Sequence, residues 1–415
     1  MKQIVVGRDY IEVAHQNISI GDKRILHEVI EKEQFAEGME AKEFVHDLES
    51  YFHVSKACLT NSGSSALLAM MSAAHEASGH KKYVITSVAG FPTTTATIIQ
   101  SGMIPWFLDI DPQSLNVPEE IIVDCLEEPD VAGILLAHPL GFPFNAPLLH
   151  HIIQEKRPDI FFCEDACDSW GAEIWDVVSH SWIKAGACGD MASLSLYPAH
   201  QLSAGEGGAI LCNNPKFYPL VHSFINWGRD CVCPPGKDNV CGKRFCHEYE
   251  DLPFGFDHKY VYSRLGYNLK STEFSAALGR SQLKRLDEFV RQRRQNYYYL
   301  REALSEFPWL NVLPKLPPVK SSPFGVPIQA IGCVNTQSLI NWLEGHKIGT
   351  RRIFAGNLLR HPAFKDVPAR KAESFPGADC LMKSAFWIGC WPGWTDAMTN
   401  YVCETLRRFE LNHPD

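Results

Sequence analysis

Phe162-Cys163-Glu164-Asp165-Ala166-Cys167-Asp168 passes from an apolar strand straight into acids. In an α/β sheet ligands sit off the carboxyl ends of the strands, and a run of this kind marks such an end. An aspartate there could hold a cationic ring nitrogen; a solvated turn is the plainer reading of the same residues. The surrounding chain supports the sheet. Residues 83–88, 104–108, 132–137, 160–163 and 193–196 read as short buried strands, and stretches of helical period, 64–77 and 119–126, lie between them. Such alternation predicts βαβ units and a mostly parallel sheet covered on both faces. Residues 207–211 add a strand after a glycine turn, and the first fifty residues read as helical with one polar face. A long helix is expected over 271–304, with Leu283, Leu286, Phe289 and Val290 on one stripe. The chain then divides into a large domain, 1–290, and a smaller C-terminal α/β domain, 291–415, entered through the proline-rich stretch 313–323.

Composition narrows the function classes. Lysine and arginine total 39 against 48 aspartates and glutamates, a formal net charge of −9 over 415 residues, 45% of them apolar. A disordered chain would be poorer in apolar residues, and a nucleic-acid binder would present a basic face. No apolar run reaches the roughly 18 residues that span a bilayer, and residues 1–13 carry too short an apolar stretch for a signal peptide. The expectation is a cytoplasmic protein. Fourteen cysteines then belong mostly to the core, as Cys58, Cys163 and Cys212 do within apolar runs.

Two further stretches bear on chemistry. Asn61-Ser62-Gly63-Ser64-Ser65-Ala66-Leu67 opens an apolar helix with small hydroxylated residues, either a phosphate cradle or an ordinary N-cap. Ser195-Leu196-Tyr197-Pro198-Ala199-His200, followed by Gly205-Glu206-Gly207-Gly208, resembles the active-site turn of the sugar aminotransferases of the DegT/DnrJ/EryC1/StrS family, which have the aspartate-aminotransferase-like PLP fold (fold type I). In that family a lysine stands where this chain has His200. Without the amine no covalent bond to PLP can form at this position, so the resemblance implies non-covalent pyridoxamine phosphate (PMP) with imidazole as base. The same resemblance implies Gly63, Ser64 and Ser195 for the phosphate and Phe91 against the ring. Asp165 becomes the ring-nitrogen partner, and Asp168 lies near the cofactor's 3′-oxygen. Asn268 would reach the phosphate from a second subunit, hence a homodimer with shared sites. Tyr197 orients base or substrate, or merely packs. Glu206 shapes the turn, and His138 and Trp227 read as core or loop residues.

Residues 228–260 form a long loop rich in Cys, Gly and Pro. WGRDC-x-C (227–233), CGKRF (241–245), DHKY (257–260) and LGYNLK (265–270) resemble the CDP-6-deoxy-L-threo-D-glycero-4-hexulose-3-dehydrases of 3,6-dideoxyhexose biosynthesis. That resemblance implies a [2Fe–2S] cluster on Cys231, Cys233 and Cys241, with Cys167 as fourth ligand and an insertion near 174–184. Zinc on the same three cysteines with Cys246 or His247 is the competing reading, and unliganded thiols a third.

The implied reaction removes the C3 hydroxyl of a nucleotide-linked 4-keto-6-deoxyhexose, with an NADH-dependent flavin/iron–sulfur reductase supplying two electrons. CDP rests on the resemblance alone. Arg351 and Arg352 could touch the substrate diphosphate or be surface charges. Rival readings are an iron-free PMP-dependent 3-dehydratase of a GDP-4-keto-6-deoxy sugar, which needs no reductase, and an inactive sugar-nucleotide or metal-binding scaffold.

Overall fold

The computed structural model describes residues 4–79, 81–233, 237–249, 251–314 and 319–412. Its centre is an eight-stranded sheet in the order Lys56–Thr60, Gly208–Cys212, Met191–Ser195, Phe161–Asp165, Val131–Ala137, Tyr83–Ser87, Ile104–Leu108, Arg370–Lys371. Only Gly208–Cys212 runs against the rest, antiparallel to both its neighbours. Seven carboxyl ends therefore share one edge. The central strands are buried along their length, so they read as continuous apolar runs rather than alternating ones. Cys58, Cys163 and Cys212 lie in the core as expected.

Helices Gly63–Ala77, Pro92–Gln100 and Ala146–Lys156 fill the crossovers between parallel strands. Two begin with structural devices legible in sequence. Ser62 caps the first by accepting from Ser65 N at 3.1 Å, and Pro92 opens the second at a position where no N–H is needed. A second sheet, Leu310–Val312, Val326–Ala330, Ala385–Ile388 and Arg351–Arg352, is antiparallel throughout. From the same C-terminal stretch, Arg370–Lys371 returns to the large sheet, where the Arg370 guanidinium lies 3.6 Å over the Trp106 ring.

Three expectations change. The N-terminal stretch is two helices, Ile20–Glu31 and Met39–Phe52, and the described residues before Ile20 are not helical. The helix expected over 271–304 is also two, Glu273–Leu283 and Leu286–Leu304. No glycine or proline marks that break. Arg285 leaves helical geometry (φ −116°, ψ 4°) where its guanidinium and the Gln282 amide converge on the buried Asp22 carboxylate. The stripe Leu283, Leu286, Phe289 and Val290 is buried nonetheless. Finally, residues 174–184 form no loop but a hairpin, Glu173–Asp176 and Ser181–Lys184, paired with Val319–Lys320.

Candidate active site

The shared edge of the large sheet gathers most of the residues singled out above. Asp165 ends its strand with a 6% exposed carboxylate. Its Oδ2 accepts from Thr94 Oγ1 at 2.7 Å, and its Oδ1 from Ser193 Oγ at 3.0 Å and Cys167 N at 3.3 Å. Thr94 and Ser193 escaped the sequence reading. The one signal for them is position: Ser193 is on the neighbouring strand, and Thr94 is in the first turn after Phe91-Pro92.

Gly63 lies where a side chain would not fit. An added Cβ would stand 2.8 Å from Ser195 Cβ and 3.0 Å from Cys167 Sγ. Gly208 is similarly confined: an added Cβ there would stand 2.5 Å from the Ser62 carbonyl carbon and 2.7 Å from Gly63 N. The start of the Gly63–Ala77 helix, the Ser195 hydroxyl and Cys167 thus share one cradle. Free N–H groups at a helix start suit an anion. Ser64 Oγ donates to Thr93 Oγ1 at 3.2 Å, and Ser195 Oγ accepts from Tyr197 N at 3.3 Å. Phe91 is 53% exposed with its ring edge-on to Phe354, so it is not a core residue.

His200 sits on the turn after the Met191–Ser195 strand. Its Nδ1 lies 3.4 Å from Asp168 Oδ1, and its ring is 5.2 Å from Phe324 and 6.5 Å from Tyr197. Burial, and after it the nearby Arg293 charge, pushes the imidazole down to about 3. Burial and the Asp165 charge push Asp168 up to about 7. Near neutrality the pair therefore holds a neutral imidazole beside a carboxyl poised to ionise. His200 Nδ1 makes no hydrogen bond among the described residues, so the contact is one of ion-pair distance; an ionised Asp168 closing on it favours the tautomer with a proton on Nδ1, which leaves Nε2 bare as an acceptor.

Other expected residues lie elsewhere. Asn268 is exposed and accepts from Lys270 Nζ at 2.8 Å, while its neighbour Leu269 accepts from Asn61 N at 2.8 Å, two residues before Gly63. Arg351 donates to the Thr350 carbonyl and Arg352 to Gln337 Oε1 in the second sheet. The Glu206 carbonyl accepts from Ser275 Oγ. His138 is fully buried against Glu164 at 2.9 Å, and Trp227 lies beneath Lys270 Nζ, 3.2 Å away.

The cysteines divide. Cys231, Cys233 and Cys241 line one small cavity with Asp238, Arg244, His258 and Lys259. Cys231 Sγ accepts from Cys233 N at 3.5 Å, and the N–H groups of Val240 and Cys241 face the Cys233 sulfur. Cys167 is not among them; it lies beside Asp165 and Ser193, its thiol pushed well up by burial and then by Asp165. Neither Cys246 nor His247 lines the cavity, but His258 does, held through Nε2 by Asp230 at 2.9 Å. Among the described residues no three His, Cys, Asp or Glu side chains are placed to hold a metal ion. Within one chain the four thiols expected to carry a cluster do not converge.

The DegT/DnrJ/EryC1/StrS aminotransferase family model matches residues 18–407. The chain is 39% identical to a dTDP-4-dehydro-2,6-dideoxy-D-glucose 3-dehydratase of Saccharopolyspora spinosa, over 98% of this chain and 87% of that one. It is also 39% identical to the lipopolysaccharide biosynthesis protein RfbH of Salmonella typhimurium, over 88% and 84%. A crystal structure of GDP-4-keto-6-deoxymannose-3-dehydratase with a trapped PLP-glutamate geminal diamine superposes with TM-score 0.84 at 25% identity, covering 95% of this chain and 100% of that one. The fold is that of the PLP-dependent type I enzymes.

Proposed function

We propose, from the premise that this chain belongs to the DegT/DnrJ/EryC1/StrS aminotransferase family, that it is a PMP-dependent 3-dehydratase of a nucleotide-linked 4-keto-6-deoxyhexose. One observation carries the reading: His200 stands on the turn where the family's lysine is expected, paired with Asp168 at 3.4 Å and close to the Asp165 cradle. The relatives named 3-dehydratases support the substrate class.

The residues present fit the cofactor. The Gly63 start of the helix, Ser64 and Ser195 would take its phosphate, Phe91 would cover one ring face, and Asp165 would hold the ring nitrogen. Asp165 is kept in place for that by Thr94 and Ser193. When bound, PMP supplies an amine for the C4 ketone and a protonated ring that accepts electrons. His200 would take at Nε2 one proton, released from the cofactor's amine-bearing carbon, and return it to the C3 hydroxyl, which departs from the sugar as water. Tyr197, half exposed on the same turn, orients base or substrate. Asn268 serves the cradle of a second copy, which makes the enzyme a homodimer.

Loss of water leaves an unsaturated sugar that needs two electrons to become a 3-deoxy product. We assign these to an NADH-dependent flavin/iron–sulfur reductase and a [2Fe–2S] cluster, with CDP as the nucleotide and the cytoplasm as the site. Support for the cluster is the three loop cysteines and their N–H···S contacts. Cys167 does not fit that set within one chain. The placement of Cys167 favours a second reading, the iron-free dehydratase of a GDP-linked sugar. The division at residue 290 is likewise part of this proposal.

The test is anaerobic purification with iron, sulfide and PMP assays, then incubation with CDP- and GDP-4-keto-6-deoxyhexose with and without a reductase. About two irons per chain and a reductase-dependent loss of the C3 oxygen would establish the first reading. An iron-free protein that dehydrates the GDP sugar alone would replace it with the second.

A further inference from the structure

Arg293, in the Leu286–Leu304 helix, is 1% exposed. A guanidinium so deep ordinarily meets a carboxylate. Among the described residues this one forms no ion pair. Its N–H groups go to main-chain carbonyls: Nη1 donates to Pro323 (3.4 Å) and Phe324 (3.1 Å), and Nη2 to His200 (3.4 Å). Its Nε has no partner among the described residues. The nearest titratable neighbour is the buried Cys390, whose thiol donates to the Pro323 carbonyl at 3.6 Å. Burial pushes that thiol up to about 12 despite Arg293, so it stays neutral. The positive charge of Arg293 is thus uncompensated. The segment it grips also carries the Phe324 ring, which lies against the His200 ring.

We propose that Arg293 is a positioning residue for proton transfer at His200: it ties the His200 main chain to the Pro323–Phe324 segment and sets a lone positive charge beside the imidazole. This rests on the reading of His200 as the base. Around the imidazole stand Asp168 after the Phe161–Asp165 strand, Tyr197 on its own turn and the Phe324 ring, while Arg293 reaches the main-chain carbonyl of His200 from the helix. The two charges oppose each other. Asp168 favours imidazolium, and Arg293 disfavours it. Burial first and Arg293 second account for the low value at His200. An imidazolium of lowered proton affinity gives its proton up readily to the departing oxygen. Preorganised charge of this kind acts without rearrangement during the reaction.

The experiment follows histidine ring signals of the 13C-labelled, PMP-loaded protein by NMR from about pH 8 to about pH 4, with His200 assigned by its absence in His200→Gln. In the native protein His200 should remain neutral throughout. In Arg293→Met its midpoint should rise by about one unit, a roughly tenfold gain in proton affinity, so that the ring is about half protonated at the acid end of the scan. The kcat for C3 dehydration should fall at least about tenfold, with KM nearly unchanged. Cys390→Asp places an anion beside an intact Arg293 and should raise the midpoint in the same way, which keeps the test open if the methionine variant does not fold. Arg293→Lys keeps the charge and should restore the neutral signal. A His200 that stays neutral in both Arg293→Met and Cys390→Asp overturns the proposal. A raised midpoint in a protein whose native form dehydrates neither sugar nucleotide would overturn the functional reading and uphold the action of Arg293 on the imidazole.

Discussion

Replacing Asp168 with asparagine should stabilise the protein above pH 7 and leave it no more stable near pH 4. The Asp168 side chain is 16% exposed and receives one main-chain N–H, from Leu140 at 3.2 Å on Oδ2. Burial, reinforced by Asp165, lifts its carboxyl from 3.8 to about 7. The folded state therefore binds this proton more tightly than the unfolded state. Below about pH 3.8 the carboxyl is protonated in both states and costs nothing. Between 3.8 and 7 stability falls as pH rises, and above 7 the full cost is present. A difference of about 3 units at 1.36 kcal/mol each gives a cost of at most about 4 kcal/mol. Asparagine is isosteric, cannot ionise, and keeps a carbonyl for Leu140. Urea midpoints of the native protein and Asp168→Asn, compared from pH 4.5 to pH 8.5, measure the gap. A gap that does not widen with pH, or an asparagine variant less stable at pH 8.5, would refute the reasoning. The same variant loses the charge that selects the Nδ1–H tautomer of His200. Its kcat should fall by roughly 10²-fold or more even as stability rises.

Further outcomes are expected from the same geometry. His200→Lys should bind PLP covalently, seen as a visible absorption band absent from the native protein, with C3 dehydration lost. Gly63→Ala should cost about 1–3 kcal/mol, because its Cβ meets Ser195 and Cys167, and should raise the PMP dissociation constant in a fluorescence titration. Thr94→Val leaves Asp165 Oδ2 without its 2.7 Å donor and should cost about 1–3 kcal/mol in a denaturation experiment. Cys233→Ser should abolish bound iron in a reconstituted sample, read by iron and sulfide assay.

Much of the frame was legible because buried parallel strands are short, continuous and apolar. Residues 104–108 match their strand end to end, and 193–196 miss theirs by only one or two residues. The break at Arg285 was not legible, because its cause is an ion pair with Asp22, 263 residues away in the chain. The hairpin at 173–184 was read as an inserted loop for a related reason: it is completed by Val319–Lys320, far downstream. At the site, Asp165 and His200 announce themselves by residue type and motif. Thr94 and Ser193 do not, since a threonine or serine near a strand end has many ordinary uses. The cysteine loop shows the limit of spacing. C-x-C-x7-C brings three sulfurs to one cavity, yet spacing cannot tell that His258 joins them while Cys167 stays with Asp165.

The pairing of Arg370–Lys371 with Ile104–Leu108 has a consequence for how the chain is made. Until residue 371 leaves the ribosome, Ile104–Leu108 is an open, apolar border of an unfinished sheet, and 263 residues separate its last position, Leu108, from Lys371. At roughly 5–20 residues per second that interval lasts on the order of 10–50 s. Uncovered borders of this kind recruit other strands. The vulnerable period of this protein therefore falls during its synthesis, and its yield should depend on chaperone supply and on the speed of translation between these two points.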